Sequence, residues 1–264
     1  MFTGVGIGTT QSPRKYNNSF SNYSTKFVTS GSEQTINFGD NLDLGDGSFA
    51  ISVWVRRDDK DTKYGIISKN VDGDTGWYIA TSASDEVYFR ANVSRAIKIS
   101  YKTDTSALDD NGRWQHIVVN IDTTSDANSG IWTNGSSATL VTETETGIGD
   151  NLDNSADLLF GKGPTLSATD VQNLSGSLDE IAFFNVSIHD KIADLRTGTS
   201  GGGNAVPADI KGMTGLRAYY RMGEGINMKA LTSNMFDEVG SVDGTMNNMP
   251  TLTTIVTDTP NIYE

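Results

Sequence analysis

The sequence contains no cysteine, which removes disulfides, thiolate metal sites and cysteine nucleophiles at once. Only two histidines are present, His116 and His189, so imidazole chemistry has few places to sit. Basic residues are scarce: 20 Lys and Arg stand against 33 Asp and Glu, a formal charge of −13 and a pI near 4.5. Nucleic acids and anionic membrane surfaces are bound through clustered cations, so neither is an expected partner. No run approaches the roughly 18 apolar residues of a membrane-spanning helix. The opening stretch MFTGVGIGTTQSPRKYNN lacks a charged segment ahead of an apolar run, and it predicts no secretory signal.

What is present favours short strands. The 264 residues fit one large domain or two small ones. Hydrophobic residues make up 36 %, enough for a core once the 28 glycines are counted beside them. The bias toward Thr, Ser and Asn suits strands with polar outer faces and many turns. In FAISVWVR (49–56), Phe49, Ile51, Val53 and Val55 fall on one face, with Ala50, Ser52, Trp54 and Arg56 on the other. That period of two is a strand signature. Similar runs are KFVT (26–29), TINF (35–38), YGIISK (64–69), WYIAT (77–81), EVYFRA (86–91), AIKISY (96–101) and WQHIVVNID (114–122). GIWTN (130–134), ATLVT (138–142), DLLFG (157–161) and SLDEIAFFN (177–185) continue the series. Turn chemistry such as DGDTG, DDNG, TNG and GIGDN separates them. About a dozen strands at this spacing predict an all-β sandwich or barrel.

One helix is predicted in SIHDKIADLRTG, with Ser187 as cap, Ile188, Ile192 and Leu195 on one face, and Gly198 as its end. Residues 1–22 read as an arm, 23–200 as the sandwich, and 201–264 as a C-terminal extension. Within the extension, LRAYYRMG (216–223) is a late strand expected to pack on the sandwich.

The order of these pieces resembles the laminin G-like, or concanavalin A-like, lectin and glucanase jelly-roll family. The matching segments are NFGDNLDLGDGSFAISVWV (37–55), GIISKN (65–70), TGWYIATS (75–82), DNGRWQHIVVNID (110–122), IWTNGS (131–136), LLFGKG (158–163) and GSLDEIAFFNVSIHDKIADL (176–195). The resemblance implies a two-sheet antiparallel jelly roll over roughly residues 24–198. LRAYYRMGEG (216–225) and VDGTM (242–246) depart from the family order, in which such segments often precede the sandwich. They signal either a C-terminal strand closing a sheet or the start of an incomplete second copy. The acidic, cysteine-free, Thr- and Asn-rich composition also looks like that of bacteriophage virion proteins.

Relatives in this family include glucanases, so the resemblance raises the question of catalytic carboxylates. Retaining glycoside hydrolysis needs two carboxyl groups about 5–5.5 Å apart. No E-x-D-x-E or E-x-D-x-x-E spacing occurs, and Asp179 and Glu180 are adjacent, which on a regular strand sends them to opposite faces. Glu143 and Glu145 share a face without a third acid. No G-x-S-x-G elbow accompanies either histidine. The reading is therefore not an enzyme. His116 is expected as a buried, hydrogen-bonded core histidine and His189 as a solvent-facing one.

The family resemblance allows a structural calcium, for which Asp40, Asp43, Asp72, Asp74 and Asp179 are candidate oxygen donors, although no cofactor is required. Tyr64, Trp77, Tyr78 and Trp132 are the candidate aromatic platform for a glycan, with core packing as the competing reading of Trp77. Two functions follow from the resemblance. The first is a non-catalytic virion protein, a capsid decoration or tail-fibre component that displays a lectin-like sandwich for glycan or host-surface attachment. The second is a secreted or surface-attached carbohydrate-binding module. Residues 1–22 offer only Phe2, Val5, Ile7, Tyr16 and Phe20 as sizeable apolar anchors. They are therefore expected, with residues 201–264, to dock on other virion proteins or on copies of the chain.

Overall fold

A computed structural model of the chain describes residues 23–29, 31–70, 75–105, 107–108, 112–164, 171–197, 206–222, 233–249 and 254–260. The arm 1–22 and the candidate donors Asp72 and Asp74 lie outside the described residues. In chain order the strands are β1 (Ser24–Phe27), β2 (Thr35–Asn37), β3 (Phe49–Arg57), β4 (Tyr64–Asn70), β5 (Gly76–Thr81), β6 (Val87–Val93), β7 (Ala96–Thr103), β8 (Gln115–Ile121), β9 (Gly130–Thr133) and β10 (Ser136–Ser137). They continue as β11 (Leu140–Glu145), β12 (Leu158–Phe160), β13 (Gln172–Asn173), β14 (Gly176–Phe184), β15 (Arg196–Thr197), β16 (Val206–Pro207), β17 (Leu216–Tyr220), β18 (Asn234–Met235), β19 (Gly244–Asn247) and β20 (Ile255–Val256).

All but β15 and β16, which pair only with each other, form the two sheets of an antiparallel jelly-roll sandwich, as the alternation predicts. The first sheet runs β10-β9-β8-β3-β14-β1-β20, with β17 also paired to β14. The second runs β11-β7-β6-β5-β4-β12-β2-β19-β18, with β13 added parallel to β4. The core lies between them. Phe49, Ile51, Val53 and Val55 face inward beside Ile117, Val119 and Ile121 of β8 and Ile181 and Phe183 of β14, all at most 2 % exposed. Opposite them stand Ile79, Phe89, Ile99, Tyr101 and Phe160 of the second sheet. Burial on this scale stabilises by roughly 25 cal/mol per Å² of apolar area.

Strand β3 is buried on both faces, against the expectation of a polar outer side. A second cluster explains this: Ala50, Val118, Trp132, Ala182, Phe184 and Tyr219 are roofed by Ile188, Ile192, Leu195 and Ile210. The roof includes the predicted helix, which is a 3₁₀ helix, His189–Leu195. Its cap position is Ile188, not Ser187. The Ser187 hydroxyl instead takes a hydrogen bond from Asn120 Nδ2 at 3.0 Å, and Asn120 Oδ1 takes the Ile188 N–H at 2.8 Å. The cap is thus supplied from β8, a tertiary contact that local sequence does not show.

The C-terminal residues are woven into both sheets. β17 pairs with β14, β19 with β2, and β20 with β1. Leu216–Tyr220 of that late segment is therefore a strand of the first sheet. Two cations point into the sandwich near opposite ends of β5. Arg57 reaches the Ser82 carbonyl at 2.7 Å and Asp85 at 2.6 Å. Lys69, opposite Trp77 on the neighbouring strand, reaches Asp40 and the Ala156 carbonyl, each at 2.7 Å, and Asp43 at 3.3 Å.

Candidate functional site

The four aromatic residues singled out in the sequence do not meet. Tyr64 and Trp77 are in the inter-sheet core, 3 % and 0 % exposed, with the Trp77 ring 6.2 Å from Phe183. Tyr78 lies on the other face of β5 from Trp77, since neighbours on a strand alternate, and is paired with Ser68 and Arg90. Trp132 is under the roof of the first sheet with its ring edge toward His189. Three separate surfaces hold these rings, and all four are buried, so they form no common stacking platform.

His116 and Ser52 have the contact of a hydrolase dyad, Nε2 to Oγ at 2.8 Å, without its supports. His116 Nδ1 has no hydrogen-bond partner, so nothing orients the ring from behind. Full burial, with Arg196 nearby, pulls the imidazole down to about 3, and its ring stacks on Trp54 at 4.8 Å. The pair acts as packing with one internal hydrogen bond.

Asp179 and Glu180 sit at a bulge in β14, where Glu180 has φ +49° and the register against β3 shifts. Both acids are buried, as is the whole of β14 on its two faces. Asp179 Oδ1 accepts the N–H groups of Glu180 at 2.8 Å and Met222 at 3.1 Å. Glu180 accepts from the Tyr219 hydroxyl and from Arg221 Nε. The acidic pair thus fastens the end of β17 to β14. Of the other calcium candidates, Asp40 and Asp43 hold the Lys69 ammonium. Among the described residues, no group of three or more His, Asp or Glu side chains is placed to hold a metal ion.

The site that sequence reading missed lies on the seam between the sheets. Val28 and Thr29 follow β1 of the first sheet, and Gly31, Glu33 and Gln34 precede β2 of the second. Lys162, Gly163 and Pro164 follow β12, and Val171 leads into Gln172 and Asn173 of β13. Together they line an open cleft of about 500 Å³. Glu33 is its polar centre. Lys162 Nζ binds one carboxylate oxygen at 2.7 Å, and Asn173 Nδ2 donates to the other at 2.6 Å. The Lys162 contact, chiefly, holds the carboxyl below its ordinary range. Asn248 Nδ2 anchors the Glu33 carbonyl at 2.8 Å, and Gln34 spans from the Val28 N–H to the Asn248 carbonyl. Val28, Pro164 and Val171 supply apolar wall. A concave, ligand-sized space with a few fixed polar groups on a partly apolar lining has the anatomy of a small-ligand site. No aromatic residue and no contiguous motif marks it. Its sequence signal is limited to small residues such as Gly163, whose backbone passes close to Gly65.

A family model described as the concanavalin A-like lectin/glucanases superfamily, of laminin G type, matches residues 30–191. No curated protein sequence matches the chain. Among solved structures, a protein from Bacteroides ovatus ATCC 8483 inferred to bind carbohydrate is similar at TM-score 0.61 and 17 % identity. The alignment covers 92 % of this chain and 62 % of that one, so this chain spans less than two thirds of that protein's length. The native heptameric SAP-like pentraxin from Limulus polyphemus aligns at TM-score 0.49 and 11 % identity, over 86 % of this chain and 95 % of that one. The CBM40 of the Ruminococcus gnavus IT-sialidase, bound to α2,3-sialyllactose, aligns at 0.46 and 10 %, over 67 % and 96 %. At these identities the likeness is one of fold. With the family model spanning more than half of its length, the chain belongs to the concanavalin A-like lectin/glucanase superfamily.

Proposed function

We propose that this chain is a non-catalytic, lectin-like module that binds glycan in the seam cleft and is carried on a virus particle. The observation that carries the glycan reading is the cleft itself: a carboxylate, an ammonium and an amide, locked together by two hydrogen bonds beside an apolar wall. Sugars present hydroxyls that donate and accept and C–H faces that pack on apolar groups, and this lining offers both. The fold likeness to the B. ovatus protein supports the reading. The non-catalytic part is supported by the buried, structurally engaged state of Asp179, Glu180, Ser52 and His116.

Retention on an immobilised glycan panel tests the site. The full chain is expected to retain at least one glycan, and the double variant Glu33→Ala/Asn173→Ala to lose it by tenfold or more. Unchanged retention by the variant would sink the assignment.

The virion setting rests on the compositional likeness. Peptide mass spectrometry of purified particles should find the chain, whereas recovery only from culture medium or cell surfaces would favour the secreted module. Residues 206–222, 233–249 and 254–260 contribute to the chain's own fold, so docking on neighbouring virion copies falls to residues 1–22 in this proposal.

A further inference from the structure

We infer that the seam cleft selects uncharged saccharides, engaged through a vicinal pair of hydroxyls bridging Lys162 and Asn173, and rejects their uronic acid counterparts. The inference rests on the glycan reading above and narrows it to a ligand class.

The first argument is geometric. Lys162 and Asn173 bind the two oxygens of the same carboxylate, so the ammonium and the amide are held side by side. An ammonium has three donors, and the bond to Glu33 uses one. The Asn173 amide gives a hydrogen to Glu33, and its carbonyl oxygen is an acceptor. A donor and an acceptor fixed next to each other match two adjacent hydroxyls, one accepting and one donating. Asn248 holds the Glu33 backbone, while Lys162 and Asn173 hold its carboxylate, so the three groups constrain one another. Val28, Pro164 and Val171 provide the surface for the sugar's C–H face.

The second argument is electrostatic. The Glu33 and Lys162 charges cancel, which leaves the cleft floor neutral. A ligand carboxylate would place two negative groups around one ammonium. It would also enter the field of a chain with net charge −13. Like charges brought together disfavour the wrong partner, which gives discrimination without any loss of affinity for the neutral one.

The test uses hexosides printed beside the uronosides made by oxidising their C6 alone: glucoside and glucuronide, galactoside and galacturonide, mannoside and mannuronide. The wild-type chain should bind at least one neutral member and its uronoside about tenfold more weakly or worse. Glu33→Gln frees the Lys162 charge and should bring that pair within about threefold of each other. Lys162→Met leaves Glu33 uncompensated and should widen the gap. These two changes act in opposite directions, so a general loss of folding cannot imitate them. Uronosides bound as tightly as their neutral partners would overturn the inference and leave the glycan reading standing. Binding to none of the six would overturn the inference, while retention on the wider glycan panel decides the glycan reading separately.

Discussion

Gly65 of β4 and Gly163 of the cleft floor meet backbone to backbone: a methyl group on Gly65 would overlap the amide nitrogen and Cα of Gly163. A methyl on Gly163 would in turn come within 2.5 Å of a Val171 methyl. Overpacking against backbone costs about 1–3 kcal/mol. Gly65→Ala is therefore expected to lower the urea midpoint and to weaken glycan retention, because the strain falls on the segment that carries Lys162. An unaltered midpoint would show that the two segments separate freely.

The Lys69 ammonium joins the 40–43 loop, the 156 loop and β4 from a fully buried position. Lys69→Met keeps the apolar stem and removes the charge. It leaves the Ala156 carbonyl unpaired and two carboxylates facing each other. Because Asp40 and Asp43 are partly exposed, the expected loss is moderate, about 1–3 kcal/mol in chemical denaturation. Wild-type stability in this variant would contradict a bracing role for Lys69.

Acid should destabilise the fold through His116. The unfolded imidazole takes a proton near pH 6.5, while the buried one resists it down to about 3. Between those values the unfolded chain binds more protons, so stability falls as pH drops from about 6.5 toward 3, by up to roughly 4 kcal/mol. Above pH 6.5 this contribution is flat. Asp122, held near 2 chiefly by Thr124 and Asn128 hydrogen bonds, adds its own loss only at lower pH, as the carboxylate is protonated. His116→Gln should flatten the slope between pH 6.5 and 4 and leave the steeper acid limb. An equal slope in both proteins between pH 6.5 and 4 would rule this out.

Trp77 should behave as a core residue. Trp77→Ala is expected to cost about 3–5 kcal/mol. Its indole N–H is buried and has no hydrogen-bond partner, so Trp77→Phe should cost less than about 1.5 kcal/mol. Glycan retention per folded molecule should be unchanged in Trp77→Phe. A selective loss of retention would return Trp77 to the ligand site.

The sandwich was legible where strands are long and their large apolar residues alternate. β3, β8 and β14 span seven to nine residues, enough to show a period of two. β18, β19 and β20 have two to four residues, too few to carry any period; β19 and β20 are strands because β2 and β1 offer them an edge, and β18 because β19 then does. The double-sided burial of β3 was partly visible in Ala50 and Trp54, but the helix that covers it is distant in sequence. Trp77 and Tyr78 looked like one platform because they are adjacent, and adjacency on a strand means opposite faces. The cleft was illegible because three separated segments build it and its chemistry comes from an ordinary Glu, Lys and Asn. The crossing of Gly65 with Gly163 and the pairing of β12 and β13 with β4 bring Lys162 and Asn173 together, and Asn248 and Gln34 fix the Glu33 segment.

The pairing of the chain's late strands with its earliest ones sets the order in which the fold can form. Ser24 is matched with Val256 and Ile36 with Met246. During synthesis, β1 and β2 therefore emerge long before the strands that cover their edges exist. Contacts this distant in sequence are slow to close, and bare edges are templates for pairing with other chains. A chain stopped near residue 200 would keep the whole matched family segment and still lack those covers. Its insolubility would report uncapped sheet edges, not the removal of an independent domain.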